Sequence, residues 1–165
     1  MAQVIGSVMY NGFAGAYSRQ PDQIIDTRIA GTGGVDFGQA VKYSSGKVVA
    51  FGSGDAATAF VGVATREVKS SLNYTAGTAK YDAGEAVPVM KRGRINVKCN
   101  VGTPALNGDV YIRIAANASI PSGVVGGFEA SADSTNTIKL TNAKFAGAAD
   151  ANGIVELEIL NAINA

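Results

Sequence analysis

Apolar and polar residues alternate with period two along most of the chain beyond Gln39, and the pattern is clearest near the end. There Val155, Leu157 and Ile159 fall on one face of a strand while Glu156 and Glu158 fall on the other. The stretch Ala83 to Ile114 repeats the pattern three times. Val87 and Val89 mark one strand, Ile95, Val97 and Cys99 alternate with Asn96, Lys98 and Asn100 on a second, and Val110 and Ile112 mark a third. Lys91-Arg92-Gly93-Arg94 reads as a hairpin tip between the first two, with Gly93 supplying the turn, and Asn107-Gly108-Asp109 as the next turn. Pro88 places the first strand at a sheet edge or a bulge, because proline donates no ladder hydrogen bond.

The same reading extends upstream. Val41 and Tyr43, a Ser44-Ser45-Gly46-Lys47 turn and Val48, Val49 and Phe51 make a hairpin. Ala56 to Ala59 suits a single helical turn, and Phe60 to Ala64 is an apolar run of buried-strand type. Downstream, Val124 to Ala130 is a strand candidate interrupted by Gly126-Gly127, Thr137 to Thr141 is a strand, and Asn142 to Asn152 is an Ala- and Gly-rich connection with room for a short helix. Residues 1–40 scatter Tyr10, Phe13, Tyr17 and Phe37 among Gly and Ala without a sustained period, and read as an extended N-terminal arm. Short strands about ten residues apart, with no long amphipathic helix, predict an all-β single domain of the sandwich or barrel type over residues 41–165.

Composition narrows the functional classes. Charged residues are only 16% of the 165, against roughly 25% in ordinary soluble domains, and a surface so poor in charge suits a chain packed against other proteins. A formal net charge of +1 does not mark a general nucleic-acid binder. The first twenty residues lack the basic and apolar regions of a signal peptide, and no apolar run reaches membrane-spanning length, so synthesis in a cytoplasm and no membrane association are expected.

The catalytic inventory is thin. The chain has no histidine, and its one cysteine, Cys99, falls on an inward strand phase as a small hydrophobe, so thiolate zinc clusters and a Cys–His nucleophile are excluded. Glu156 with Glu158 read as solvated glutamates rather than a glycosidase pair, and Asp82, Glu85 and Asp55 lack the spacing of a calcium loop. The glycine clusters at Gly31-Thr32-Gly33-Gly34 and Gly52-Ser53-Gly54 complete no phosphate-binding motif and read as turns. No cofactor, no metal and no enzymatic activity are expected. Lys91, Arg92 and Arg94 form the strongest basic cluster; a guarded edge or docking onto an acidic protein patch suits it better than nucleic acid, because no aromatic residues are interleaved with it.

In order along the chain stand Asp26-Thr27-Arg28-Ile29-Ala30-Gly31, Asp36-Phe37-Gly38-Gln39-Ala40-Val41, Phe60-Val61-Gly62-Val63-Ala64, Tyr81-Asp82-Ala83-Gly84-Glu85-Ala86-Val87-Pro88-Val89, Lys91-Arg92-Gly93-Arg94-Ile95-Asn96-Val97 and Gly108-Asp109-Val110-Tyr111. This order, through about residues 20 to 115, resembles the structural cement, or head decoration, proteins of tailed bacteriophages. The resemblance implies a non-enzymatic, jelly-roll-like barrel on the exterior of the capsid of a virion, as a homodimer or homotrimer bridging major capsid proteins and stabilising the expanded shell. On that implication Tyr10, Phe13, Tyr17 and Arg19 are the expected lattice anchors, and Lys91, Arg92 and Arg94 supply electrostatics at the rim. The alternative is a carbohydrate- or receptor-binding β-sandwich module of a virion fibre, for which the chain, with no Trp and 7% aromatics, is poorly equipped.

Overall fold

A computed structural model describes residues 10–67 and 80–160. The fold is an all-β single domain, with two short 3-10 turns among the described residues, Ala57–Ala59 and Ser134–Asn136. Its strands are β1 (Tyr17–Ile29), β2 (Val35–Asp36), β3 (Ala40–Ser44), β4 (Lys47–Ala50), β5 (Gly62–Ala64), β6 (Lys80–Tyr81), β7 (Ala86–Val101), β8 (Gly108–Arg113), β9 (Phe128–Glu129), β10 (Thr137–Phe145) and β11 (Ile154–Ile159). No helix among the described residues is long and apolar enough to cross a membrane.

The 16-residue β7 is the spine. Its C-terminal half pairs with β11 on one side and with β9 on the other, and β11–β10–β8–β9 completes a closed ring. Closure removes sheet edges, and the interior is filled by Ile95, Val97, Val110, Ile112, Phe128, Leu140, Phe145, Val155, Leu157 and Ile159, all essentially buried. The N-terminal half of β7 belongs to a second, smaller layer. There it lies between β1 and β5, β5 pairs with β3 and β3 with β4, and Val41, Val48, Ala64, Val87 and Val89 form a separate core cluster. The hairpin at Ser45-Gly46 forms as expected, with both residues at positive φ, and so does the turn at Asn107.

Two expectations are corrected. Lys91 to Arg94 do not turn the chain; β7 runs straight through them. Gly93, at φ +119°, is required because β1 crosses β7 here, and a Cβ would stand 2.7 Å from the Asp22 carbonyl oxygen. The inward phase slips at the same place: Met90 and Ile95, an odd number of residues apart, both face the barrel core, while Val87 and Val89 face the second cluster, so one strand serves two cores. Pro88 is likewise not at an edge, having β1 on one side and the end of β5 on the other, where Thr65 donates its N–H to the Pro88 carbonyl at 2.9 Å.

The second correction concerns the N-terminal segment. Residues 17–29 lack a sequence period yet form the 13-residue β1, hydrogen-bonded to β7 from Tyr17↔Ile95 to Ile29↔Ala86. Only its inner edge and a few side chains, such as Ile25, contact the core, so no regular apolar stripe is needed. Smaller differences follow the same logic: β10 continues to Phe145 with no helix between it and β11, and β9 keeps only two residues, parallel to β7. Cys99 is half-buried against the barrel core, and burial pushes its thiol pKa up.

A buried ion pair stands outside the barrel core. Arg113 and Glu129 have fully buried side chains, with Arg113 Nη2 donating to Glu129 Oε2 at 2.9 Å and Nη1 to Asp133 Oδ2 at 2.7 Å. Strand alternation does point Arg113 away from the barrel interior, but the loop through residues 115–127 covers it. Gly123 lies against the guanidinium, and Arg113 and Gly127 are bonded backbone to backbone at 3.1 Å. Glu129, then Asp133, keep the guanidinium protonated, while Asn117 and then Arg113 hold the Asp133 carboxyl below its usual pKa.

Candidate functional site

The pairing of β7 with both β1 and β11 gathers residues that are far apart in sequence onto one surface. Arg94 lies opposite Arg19 on β1 and opposite Glu158 on β11, while Arg92 lies opposite Ile24. The arginines meet carboxylates directly. Arg19 Nε donates to Glu156 Oε1 at 2.9 Å, Arg94 Nη2 to Glu158 Oε1 at 3.0 Å, and Arg92 Nη2 to Asp22 Oδ2 at 3.0 Å. Next along β7, Lys91 Nζ reaches Asp26 Oδ2 at 3.0 Å and Arg28 reaches the same oxygen at 3.1 Å. Tyr43 and then Asp26 hold Lys91 protonated, and Lys91 in turn lowers the Asp26 pKa. Residues 19–22, 92–94 and 158–160 border an open groove of about 380 Å³.

The basic cluster is therefore not a bare cationic patch. Its five cations face the four carboxylates of Asp22, Asp26, Glu156 and Glu158, so the surface is dense in charge but nearly neutral. Such a surface has no long-range field to attract a polyanion. Half-exposed ion pairs are each worth about 0–1 kcal/mol, so they can be exchanged for a partner's groups at little cost. Glu156 and Glu158, expected to be solvated, are the partners of Arg19 and Arg94.

Ahead of β1, residues 10–16 are tied across the protein by backbone and amide bonds. Asn11 N–H donates to Asp150 Oδ2 at 2.8 Å and its Nδ2 to the Ile154 carbonyl at 2.7 Å, while Gly15 N–H donates to the Asn96 carbonyl at 2.7 Å. Arg66 N–H donates to the Gly15 carbonyl at 2.8 Å. This fixes the backbone and leaves two rings outside: Tyr10 is 64% and Phe13 66% exposed, with the Arg66 guanidinium 4.4 Å above the Phe13 ring. Tyr17 differs. Its ring contacts the barrel core and its hydroxyl bonds to Glu67, so burial first, and Glu67 second, raise its pKa.

The seven residues nominated from sequence thus separate into two exposed rings, four members of a charge network and one inward-facing tyrosine. The carboxylates of the network were not nominated. Asp22 is separated from Arg92 by 70 positions and Glu156 from Arg19 by 137, and nothing local marks them as partners.

A family model described as "Structural cement protein (E217 gp24/Pam3 gp6)" matches residues 2–160. Among solved structures, a chain from "The capsid of Myoviridae Phage XM1" shares the fold, with a TM-score of 0.70 at 16% identity over 98% of this chain and 97% of that one. No curated protein matches the chain.

Proposed function

We propose, from the premise that this chain belongs to the structural cement protein family, that it is a non-enzymatic component of a phage capsid. The single observation that carries this reading is the family match over almost the whole chain; sharing a fold with a chain of a phage capsid supports it. The protein binds major capsid proteins on the outside of the head, as a homodimer or homotrimer, and stabilises the expanded shell. Binding only the expanded form stabilises it by mass action, and several weak contacts held in one oligomer add up through avidity.

Tyr10 and Phe13 are the apolar anchors, because their rings are exposed on a backbone already fixed by hydrogen bonds, so little ordering cost falls on docking. Arg19, Arg92 and Arg94 exchange their intramolecular carboxylates for those of the capsid at the rim. Lys91 and Tyr17 hold β1 in place beside them. The double variant Tyr10→Ala with Phe13→Ala should keep its circular dichroism and melting temperature but lose at least about tenfold in affinity for capsids, since buried aromatic anchors are each worth roughly 1–2 kcal/mol or more. Unchanged affinity would remove the two rings from the interface.

A further inference from the structure

Arg66 differs from every other arginine of the chain. Arg19, Arg28, Arg92, Arg94 and Arg113 each stand within 3.1 Å of a carboxylate oxygen. Arg66 meets no carboxylate among the described residues, and its guanidinium lies over the Phe13 ring instead. All 13 acidic side chains of the chain belong to the described residues, so no acidic side chain of this protein serves it. Even Glu67, its neighbour in sequence, is taken by the Tyr17 hydroxyl. The backbone beneath the pair is fixed. Arg66 N–H donates to the Gly15 carbonyl at 2.8 Å, Glu67 N–H to the Tyr81 hydroxyl at 3.2 Å, and that hydroxyl to the Thr65 carbonyl at 2.8 Å.

The guanidinium and the ring are 4.4 Å apart, and both residues are exposed. A partner that covers the Phe13 ring therefore covers Arg66 as well. The ring face attracts the cation but does not take up its N–H fork as a carboxylate does. Covering the guanidinium without a counter-ion leaves a desolvated charge unpaired, which is costly. A carboxylate supplied by the partner removes that penalty and accepts two parallel N–H bonds. The same cost rejects a partner that brings only apolar groups, so the unpaired charge confers specificity. Arg19, Arg92 and Arg94 lack this property, because each enters docking with a carboxylate of its own.

We infer that Phe13 and Arg66 form one docking surface for a carboxylate carried beside an apolar side chain on a capsid protein, with Arg66 setting its specificity. This rests on capsid docking as proposed above and names the chemistry of the partner there. The partner's apolar group lies against the Phe13 ring, and its carboxylate meets the fork of Arg66.

The test has two arms, one of which needs no capsid. Sodium benzoate, a carboxylate on an apolar ring, is titrated into the full chain, with benzamide as the uncharged control, and the arginine Nε–H and Phe13 ring resonances are followed by NMR. Benzoate should shift Arg66 and Phe13 at concentrations that leave Arg19, Arg92 and Arg94 unmoved, and benzamide should leave Arg66 where it is. In the second arm Arg66→Met keeps an apolar stem over the ring and removes the charge. Its affinity for expanded capsids, read by co-sedimentation, should fall about tenfold or more, the loss of one charge-assisted pair, with circular dichroism unchanged. Benzoate moving the paired arginines as readily as Arg66, or Arg66→Met binding capsids as wild type does, would each overturn the inference. Wild-type protein that fails to co-sediment while benzoate still selects Arg66 would instead overturn capsid docking, and with it the capsid as the source of the carboxylate.

Discussion

Replacing Glu129 by alanine is expected to destabilise the domain by about 3–5 kcal/mol, the usual cost of leaving a fully buried charge without its partner. Arg113 has no route to solvent: its side chain is completely buried, Gly123 lies against the guanidinium, and Asp133 satisfies only one of its terminal nitrogens. The loss should lower the melting temperature by roughly 6–20 °C for a domain of this size. Removing both charges at once, as Arg113→Met with Glu129→Leu, should restore most of that stability, because apolar groups of similar volume need no compensation. Urea denaturation of the single and double variants measures both effects. A Glu129→Ala variant within about 1 kcal/mol of wild type would mean that the loop over residues 115–127 admits water to the pair.

The second large effect is expected at Gly93. Alanine there would adopt a φ of +119° and put its Cβ 2.7 Å from the Asp22 carbonyl oxygen and 3.1 Å from Gln23 Cα, both backbone atoms of β1. Neither can move without parting β1 from β7, so a cost of about 2–4 kcal/mol is expected for Gly93→Ala. Gly54→Ala separates the two contributions. Gly54 also has positive φ, +75°, but open space around it, so only the conformational cost of about 1 kcal/mol applies. Equal losses in the two variants would show that the crossing of β1 over β7 is loose. An uncrossed hairpin tip at Lys91 to Arg94 would give that same result, which makes the comparison a solution test of the continuous strand.

Gly93 also shows why a sequence can be read correctly as all-β and wrongly in its connections. A glycine at positive φ among charged residues is the local signal of a turn, and a bulge under a crossing strand produces the same signal. Only the position of β1 distinguishes them, and β1 carries little signal of its own. Among the described residues only β7 forms a ladder with it, Pro21 interrupts its course, and most of its side chains are exposed, so residues 17–29 show no alternation. By contrast Val155, Leu157 and Ile159 are legible because a single closed barrel buries one face of β11, and the Ser45-Gly46 hairpin because two consecutive positive-φ residues are needed there.

The site divides along the same line. Lys91, Arg92 and Arg94 stand out because they are adjacent in sequence, whereas Asp22, Asp26, Glu156 and Glu158 come from other strands. Long-range pairing turned an apparent basic patch into a nearly neutral network. The Arg113–Glu129 pair was hidden for a different reason: alternation placed Arg113 correctly outside the barrel, and the loop that buries it has no periodic signature.

The most direct measurement of the central claim is reconstitution. Purified protein is added to expanded capsids that lack it, and co-sedimentation is followed together with the temperature at which the capsids come apart. Saturable binding with a higher disruption temperature is the predicted result; no co-sedimentation and an unchanged heat profile would contradict a role as capsid cement.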